Sequence, residues 1–268
     1  MDNVEGTFPF GQPLRCVVQT ELSPKRVFVL GVYASAVHAR WVGPDDKELI
    51  KALAVASEPY IFWRGDHADE IIGSIKVPER AGRLEPASDM FNGPSGVTLD
   101  KHILTPLGLS RDDAWLCDMV PHTCRNPKQK DALEREYEPR AAALNLPTVT
   151  LPDVPHSFAD EHRRKEILDE VKQAQPEVIV LLGDEPIRHW LTYFDRRRSR
   201  LFDFGEYGRL HIVSIEGRDY KVLPLAHPRQ IGALGQHSPE WTERHAQWEK
   251  SDAPGLLGSA TSKVKSSI

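Results

Sequence analysis

The chain has 268 residues, 40% of them hydrophobic, and a formal net charge of −5. That length supports one large domain with a real core, and the mild acidity excludes a partner held by global positive charge. Positive charge is local: Arg196-Arg197-Arg198-Ser199-Arg200 and Arg163-Arg164-Lys165 are the densest clusters. Such runs read as solvated faces, or as phosphate contacts where they flank a site. Three scattered cysteines, Cys16, Cys117 and Cys124, form no C-x-x-C pair. They predict a reduced, cytoplasmic protein and cannot supply four thiolates to an iron–sulfur cluster. No signal peptide, membrane span or internal repeat is expected. The eleven histidines lack metal-site spacing, so neither a metal nor another cofactor is expected.

In chain order, residues 1–24 read as an N-terminal arm with turn-rich punctuation at Phe8-Pro-Phe-Gly-Gln-Pro13. Residues 25–250 read as a single α/β domain, and 251–268, rich in Ser, Gly and Lys, as a disordered tail. Val27-Phe-Val-Leu-Gly31 is a buried strand. Pro44, two acids, and then Leu49, Ile50 and Leu53 at helical spacing predict a helix over 45–56. Residues 59–63 read as a strand. Residues 66–94 read as a long functional loop with at most a short helix. Further helices are expected over 97–107, 131–144, 160–173, 186–194 and 239–250. Strands are expected over 115–120 and 177–183, and residues 211–215 pair with 220–225 across Glu216-Gly-Arg-Asp219. Strands alternating with helices imply a mostly parallel sheet covered on both faces. Four strands end at Gly31, Asp118, Gly183 and His227, which aligns their carboxyl ends along one rim, where open α/β sheets bind ligands.

Leu223-Pro-Leu-Ala-His-Pro-Arg229 places a histidine at such an end, on a backbone stiffened by Pro228. Histidine there can exchange a proton near neutral pH; the plain alternative is a histidine beside a turn. After Gly31, which lets backbone approach a ligand, Tyr33, Ser35 and His38 offer hydrogen bonds, or form an ordinary strand-to-helix turn. Asp89-Met-Phe-Asn-Gly-Pro-Ser-Gly96 precedes a helix. Phe91 there either stacks on a flat ligand or is buried, and the N–H groups near Ser95 and Gly96 are placed for an anion. Asp118 at a buried strand end needs a partner: a salt bridge or cap, or else a ligand N–H or a water. Ile231 and Leu234, between glycines, either wedge into a base stack or pack against the last helix near Trp241. No Gly-rich phosphate loop is present.

Taken together, the strand ending in Gly31, the Phe91-x-Gly-x-x-Gly96 helix start, the strand ending at Asp118, the Val-Ile-Val-Leu-Leu-Gly183 strand and His227-Pro228 resemble the uracil-DNA glycosylase superfamily over roughly residues 25–250. The resemblance implies a three-layer α/β sandwich with a central four-stranded, mostly parallel sheet. DNA, double- or single-stranded, would bind a monomer across the carboxyl rim. It assigns His227 to the histidine that hydrogen-bonds the departing base, and Phe91 to the aromatic that stacks on it. Asp118 falls where many members carry an Asn that reads the pyrimidine edge. Ile231 to Leu234 fall in the loop that fills the gap left by the flipped nucleotide, beside Arg229.

The first motif of that family carries a water-activating Asp or Asn two residues after its Gly, followed by Pro; this chain has Tyr33 and Ala34. Asp118, Asn92 and Asp89, in that order, are the candidates for the sugar and the incoming water. An ionised Asp118 only accepts hydrogen bonds and so favours an exocyclic amine, as on cytosine. The expected activity is therefore hydrolytic excision of a non-standard base, either a modified cytosine such as those of phage DNA or uracil, with antiviral defence as one role. A base-binding sensor without activity, and a hydrolase of free nucleosides, are the alternatives.

Overall fold

The computed structural model describes residues 5–232 and 238–258. Its central sheet is built from β1 (Val27–Tyr33), β5 (Ala114–Val120), β6 (Val178–Leu182), β7 (His211–Ile215) and β8 (Arg218–Leu225), in the order β5-β1-β6-β8-β7. The first four strands in that order are parallel, as expected from the sequence, and β7 adds an antiparallel fifth at the edge. Every residue of β5 and β6 is buried, so helices cover both faces of the sheet, which is why these strands are continuous apolar runs. The helices are α5 (Glu161–Ala174), against β5 and β1, α6 (Asp184–His189), against β1 and β6, and α8 (Pro239–Ser251). Short α2 (Pro94–Leu99), extended by a wider π turn through Leu104, packs against α7 (Pro228–Ile231).

A second, antiparallel sheet was not foreseen. It consists of β2 (Ala36–Val42), β3 (Glu48–Ser57) and β4 (Arg83–Pro86), in the order β3-β2-β4. The helix expected over 45–56 is therefore β3. Pro44, Asp45 and Asp46 do not begin a helix; they make the hairpin turn, with Asp46 left-handed at φ 61° and the Gly43 N–H donating to Lys47 O at 2.8 Å. Residues 59–63, expected as a strand, form a turn with Phe62 at φ 53°. The supposed loop over 66–94 contains α1 (Ala68–Gly73) and β4.

The second sheet has its own apolar cluster. The N-terminal arm is packed into it: Phe8 and Phe10 are buried, and the Phe10 ring meets Trp41 and Tyr137 edge-on at 5.3 and 5.5 Å. Tyr137 lies on the long helical run made by α3 (Pro127–Asp131), a π stretch and α4 (Glu138–Ala143). The tail is ordered further than expected: α8 ends at Ser251 and Ala253 is buried in the main core. Residues 259–268 lie outside the described residues. Among the described residues, no helix is long and apolar enough to cross a membrane.

Candidate active site

The carboxyl ends of β5, β1, β6 and β8 lie side by side, and each carries a residue singled out in the sequence. His227 follows β8 directly and caps α7. Its Nδ1 accepts the Arg229 N–H at 3.1 Å, while the His227 N–H donates to Gln230 Oε1 at 3.0 Å. A neutral imidazole whose Nδ1 accepts carries its proton on Nε2, so Nε2 is a donor. Burial, helped by the nearby Arg229 charge, pulls this imidazole down to about 4, so it is neutral near pH 7. Behind it, Ala226 N–H donates to the Tyr207 hydroxyl at 3.0 Å, and that hydroxyl meets His245 Nδ1 at 2.6 Å. His245 Nε2 lies 2.8 Å from the His102 carbonyl, and His102 Nδ1 lies 2.7 Å from Glu249. Since His245 Nε2 must donate to a carbonyl, its Nδ1 accepts from Tyr207, and every hydrogen in the chain has a fixed direction.

Gly31 pairs with Asp118 across the β1/β5 ladder. Asp118 is 4% exposed. Arg163 of α5 approaches it, yet its N–H groups go to the main-chain oxygens of Met119 and Asp118, to Cys117 Sγ, and to Glu166 and Glu170. No hydrogen bond to the Asp118 carboxyl forms among the described residues. Burial pushes this acid up to about 7, with Arg163 pulling the other way.

A second acid, missed in the sequence, reaches the same strand end. Glu58, just past β3, is also 4% exposed, and its carboxyl accepts the backbone N–H groups of Ser35 and Trp63. Burial, then the Asp118 charge, pushes Glu58 up to about 8. The β2–β3 hairpin thus returns a carboxyl to the end of β1, where Tyr33 and Ala34 supply none. The signal available was a lone Glu after a run ending Ala-Val-Ala-Ser57; once that run is recognised as a strand, Glu58 falls at its carboxyl end.

Phe62, also missed, covers Gly31: a β-carbon there would lie 2.7 Å from its ring. Arg111 holds the Phe62 carbonyl at 2.6 Å and the Ile61 carbonyl at 3.2 Å, and is itself anchored on Asp100. The glycines of the Phe-x-Gly-x-x-Gly segment serve this loop. A β-carbon on Gly93 or Gly96 would collide with backbone of Arg64, or of Phe62 and Trp63, at 2.0 to 2.3 Å. These glycines therefore let two loops touch backbone to backbone.

The remaining sequence candidates are distributed as follows. Tyr33 is half-buried, stacks on Phe158 with ring centroids 6.2 Å apart, and has its hydroxyl pushed up by burial. Ser35 is exposed, and its carbonyl accepts from Thr123. Phe91 is half-buried 6.2 Å from the His38 ring, not over Gly31. Asn92 is corrected from water activator to brace: its amide donates to His38 O at 2.9 Å and its Oδ1 accepts the His38 N–H at 2.8 Å. Asp89 and Arg229 are exposed. Ile231 is corrected from wedge to core residue, being buried in the main cluster beside α2; Leu234 lies outside the described residues. The arginine run is partly self-neutralised, Asp195 accepting from Arg197 and Arg198, and Asp203 from Arg200. A cavity of about 430 Å³ beside that run, lined by Tyr193, Phe194 and Val213 among others, shares no residue with the rim. A smaller one, of about 240 Å³, opens beyond the end of β5 between Met119, His122, Phe158 and Arg163.

The rim of the parallel sheet thus carries a neutral histidine after β8 and a buried carboxyl on β5. The sequence model of the Uracil DNA glycosylase superfamily matches residues 71–248, well over half of the chain, and the protein belongs to that superfamily. The match begins after β3, so Gly31, Glu58 and Phe62 precede it. No curated protein matches the chain.

Proposed function

We propose that the protein is a DNA glycosylase that takes a non-standard pyrimidine, uracil or a modified cytosine, out of the helix and hydrolyses its N-glycosidic bond, leaving an abasic site. The observation that carries this reading is the His227 ring at the carboxyl end of β8, fixed through its Nδ1 by the Arg229 N–H, neutral near pH 7 and with its proton on Nε2. When the glycosidic bond breaks, its electron pair stays on the base, and water adds to the sugar with loss of a proton. A preorganised donor at the base oxygen where charge collects contributes on the order of 3 kcal/mol to the transition state. Extrusion of the base costs a few kcal/mol, least for a mispaired or damaged one. β1, which carries Gly31, and β8, which His227 follows, are two strand spacings apart, about 10 Å.

The observation favouring a silent base-binding sensor is that β1 ends in Tyr33 and Ala34 without an acid. Glu58 answers it by bringing a carboxyl to that strand end. Removal of bases from phage DNA as a defence is one use of such an activity by a monomer acting on single- or double-stranded DNA. The test is abasic-site formation in matched duplexes carrying uracil, a modified cytosine or neither. Sites arising only in the first two support the reading, and tight binding of all three with no abasic site overturns it.

A further inference from the structure

We propose that Phe202, Trp241 and Arg244 form a stacking platform for an unpaired base of the DNA strand beside the rim, and that this platform makes the protein prefer single-stranded to duplex DNA. This rests on the glycosylase reading and adds to it a strand-selecting site outside the strand ends that carry the family resemblance. Phe202 and Trp241 meet with ring centroids 4.7 Å apart. The Arg244 guanidinium lies 5.5 Å from the first ring and 5.6 Å from the second. Phe202 is nevertheless 50% exposed, and Trp241 is only half-buried.

Three hydrogen bonds tie these rings to the rim. Asp184, two residues past β6, accepts the N–H of Leu201 at 2.7 Å, which fixes the turn that carries Phe202. At the start of α8, the Thr242 hydroxyl donates to the Gln230 carbonyl at 2.9 Å, three residues after His227. Tyr207, whose ring centroid lies 5.8 Å from that of Trp241, accepts the Ala226 N–H at 3.0 Å. The platform is therefore anchored next to the carboxyl ends of both β6 and β8.

Charge does not explain the patch. Arg200 and Arg244 pair with Asp203 and Glu240 within their own turns, and exposed Arg229 is offset by exposed Glu243. Exposed pairs of this kind contribute little and open readily to a phosphate. With the local charges near balance, the rings are the distinctive element. In a duplex, each base face is covered by its neighbours. An unpaired strand offers free faces, and any base can stack on an aromatic ring, with a guanidinium beside it adding a cation–π contribution.

The test uses the full chain and a short oligothymidylate, either single or paired with oligoadenylate. Trp41, Trp63, Trp115, Trp190 and Trp248 are each at most 1% exposed, so Trp241 is the tryptophan that a bound base can touch. The single strand should quench tryptophan emission and the duplex should not; Trp241→Phe should abolish the quenching. Phe202→Ala should lower the ratio of single-strand to duplex affinity about five- to a hundredfold, the worth of one stacked base. Phe202→Tyr, which keeps a ring, should restore that ratio. Arg244→Ala should also lower it, and tests the platform even if Phe202→Ala fails to fold. Equal quenching by both DNAs, no quenching by the single strand, or an unchanged ratio in both alanine variants overturns the proposal. Base release is scored separately on the same DNAs carrying one uracil. The predicted quenching and ratios without release uphold the platform and defeat the glycosylase reading, whereas release with unchanged ratios does the reverse.

Discussion

Asp118 Oδ1 stands 2.2 Å from the point a β-carbon on Gly31 would occupy, and the tip of the Phe62 ring lies 2.7 Å from the same point. The absence of a side chain on β1 is therefore what lets an acid from the neighbouring strand and an aromatic from the inserted hairpin's exit meet over one strand end. Gly31→Ala should force both aside. Overpacking a well-filled site costs about 1–3 kcal/mol, so a lower denaturant midpoint is expected together with loss of base release. Equilibrium unfolding and abasic-site assays on the same preparation check this; wild-type stability and activity would mean that the two groups are not seated there.

The Tyr207–His245 chain makes a separate prediction. Tyr207→Phe leaves the Ala226 N–H without its acceptor and His245 Nδ1 without its donor. A buried group deprived of its partner costs about 1–3 kcal/mol. Because Ala226 precedes His227, kcat should fall while KM for DNA stays near wild type. A proportional fall in stability with kcat unchanged would limit the chain to a structural role.

The tautomer of His227 is measurable directly. Nitrogen NMR of the ring should show Nε2–H with a bare Nδ1, persisting on acidification until about pH 4, the value to which burial pulls this residue. A ring that titrates near the ordinary 6.5 would place it in solvent, not at a closed rim.

Stability should depend on pH with a definite sign. Asp118 and Glu58 are raised from 3.8 and 4.5 to about 7 and about 8, so the folded protein holds protons there that the unfolded chain has released. Stability from these acids is lost as pH rises through that window. His227 acts oppositely: it is lowered from 6.5 to about 4, so stability is lost as pH falls through that range. The two oppose each other below 6.5 and only the acids act above it. Unfolding midpoints should therefore fall from about pH 6.5 to about pH 8, and Asp118→Asn should flatten that slope.

The parallel sheet was legible because its strands are fully buried, and apolar runs such as Val178–Leu182 need no periodicity to be recognised. His227 was legible because Pro224, Pro228 and the glycines around it punctuate one strand end. The second sheet was not. Leu49, Ile50 and Leu53 satisfy helical spacing by coincidence, and only the left-handed Asp46 turn reveals the hairpin. With β3 misread as a helix, Glu58 had no rim to sit on. Asn92 drew a catalytic role because position 33 carries no acid and an amide can also face the sugar and water, whereas both ends of its amide serve His38 backbone. Ile231 drew a wedge role from its flanking glycines, but α7 turns it inward onto the core.

The central claim is that His227 stabilises the departing base. Mass spectrometry of bases released from uracil-containing, phage and ordinary genomic DNA, by wild type and by His227→Ala, tests it most directly. A free non-standard pyrimidine, matched by an equal yield of abasic sites and reduced about a hundredfold or more in the variant, is the predicted result. Equal release by both proteins, or none by either from any of these DNAs, would contradict it.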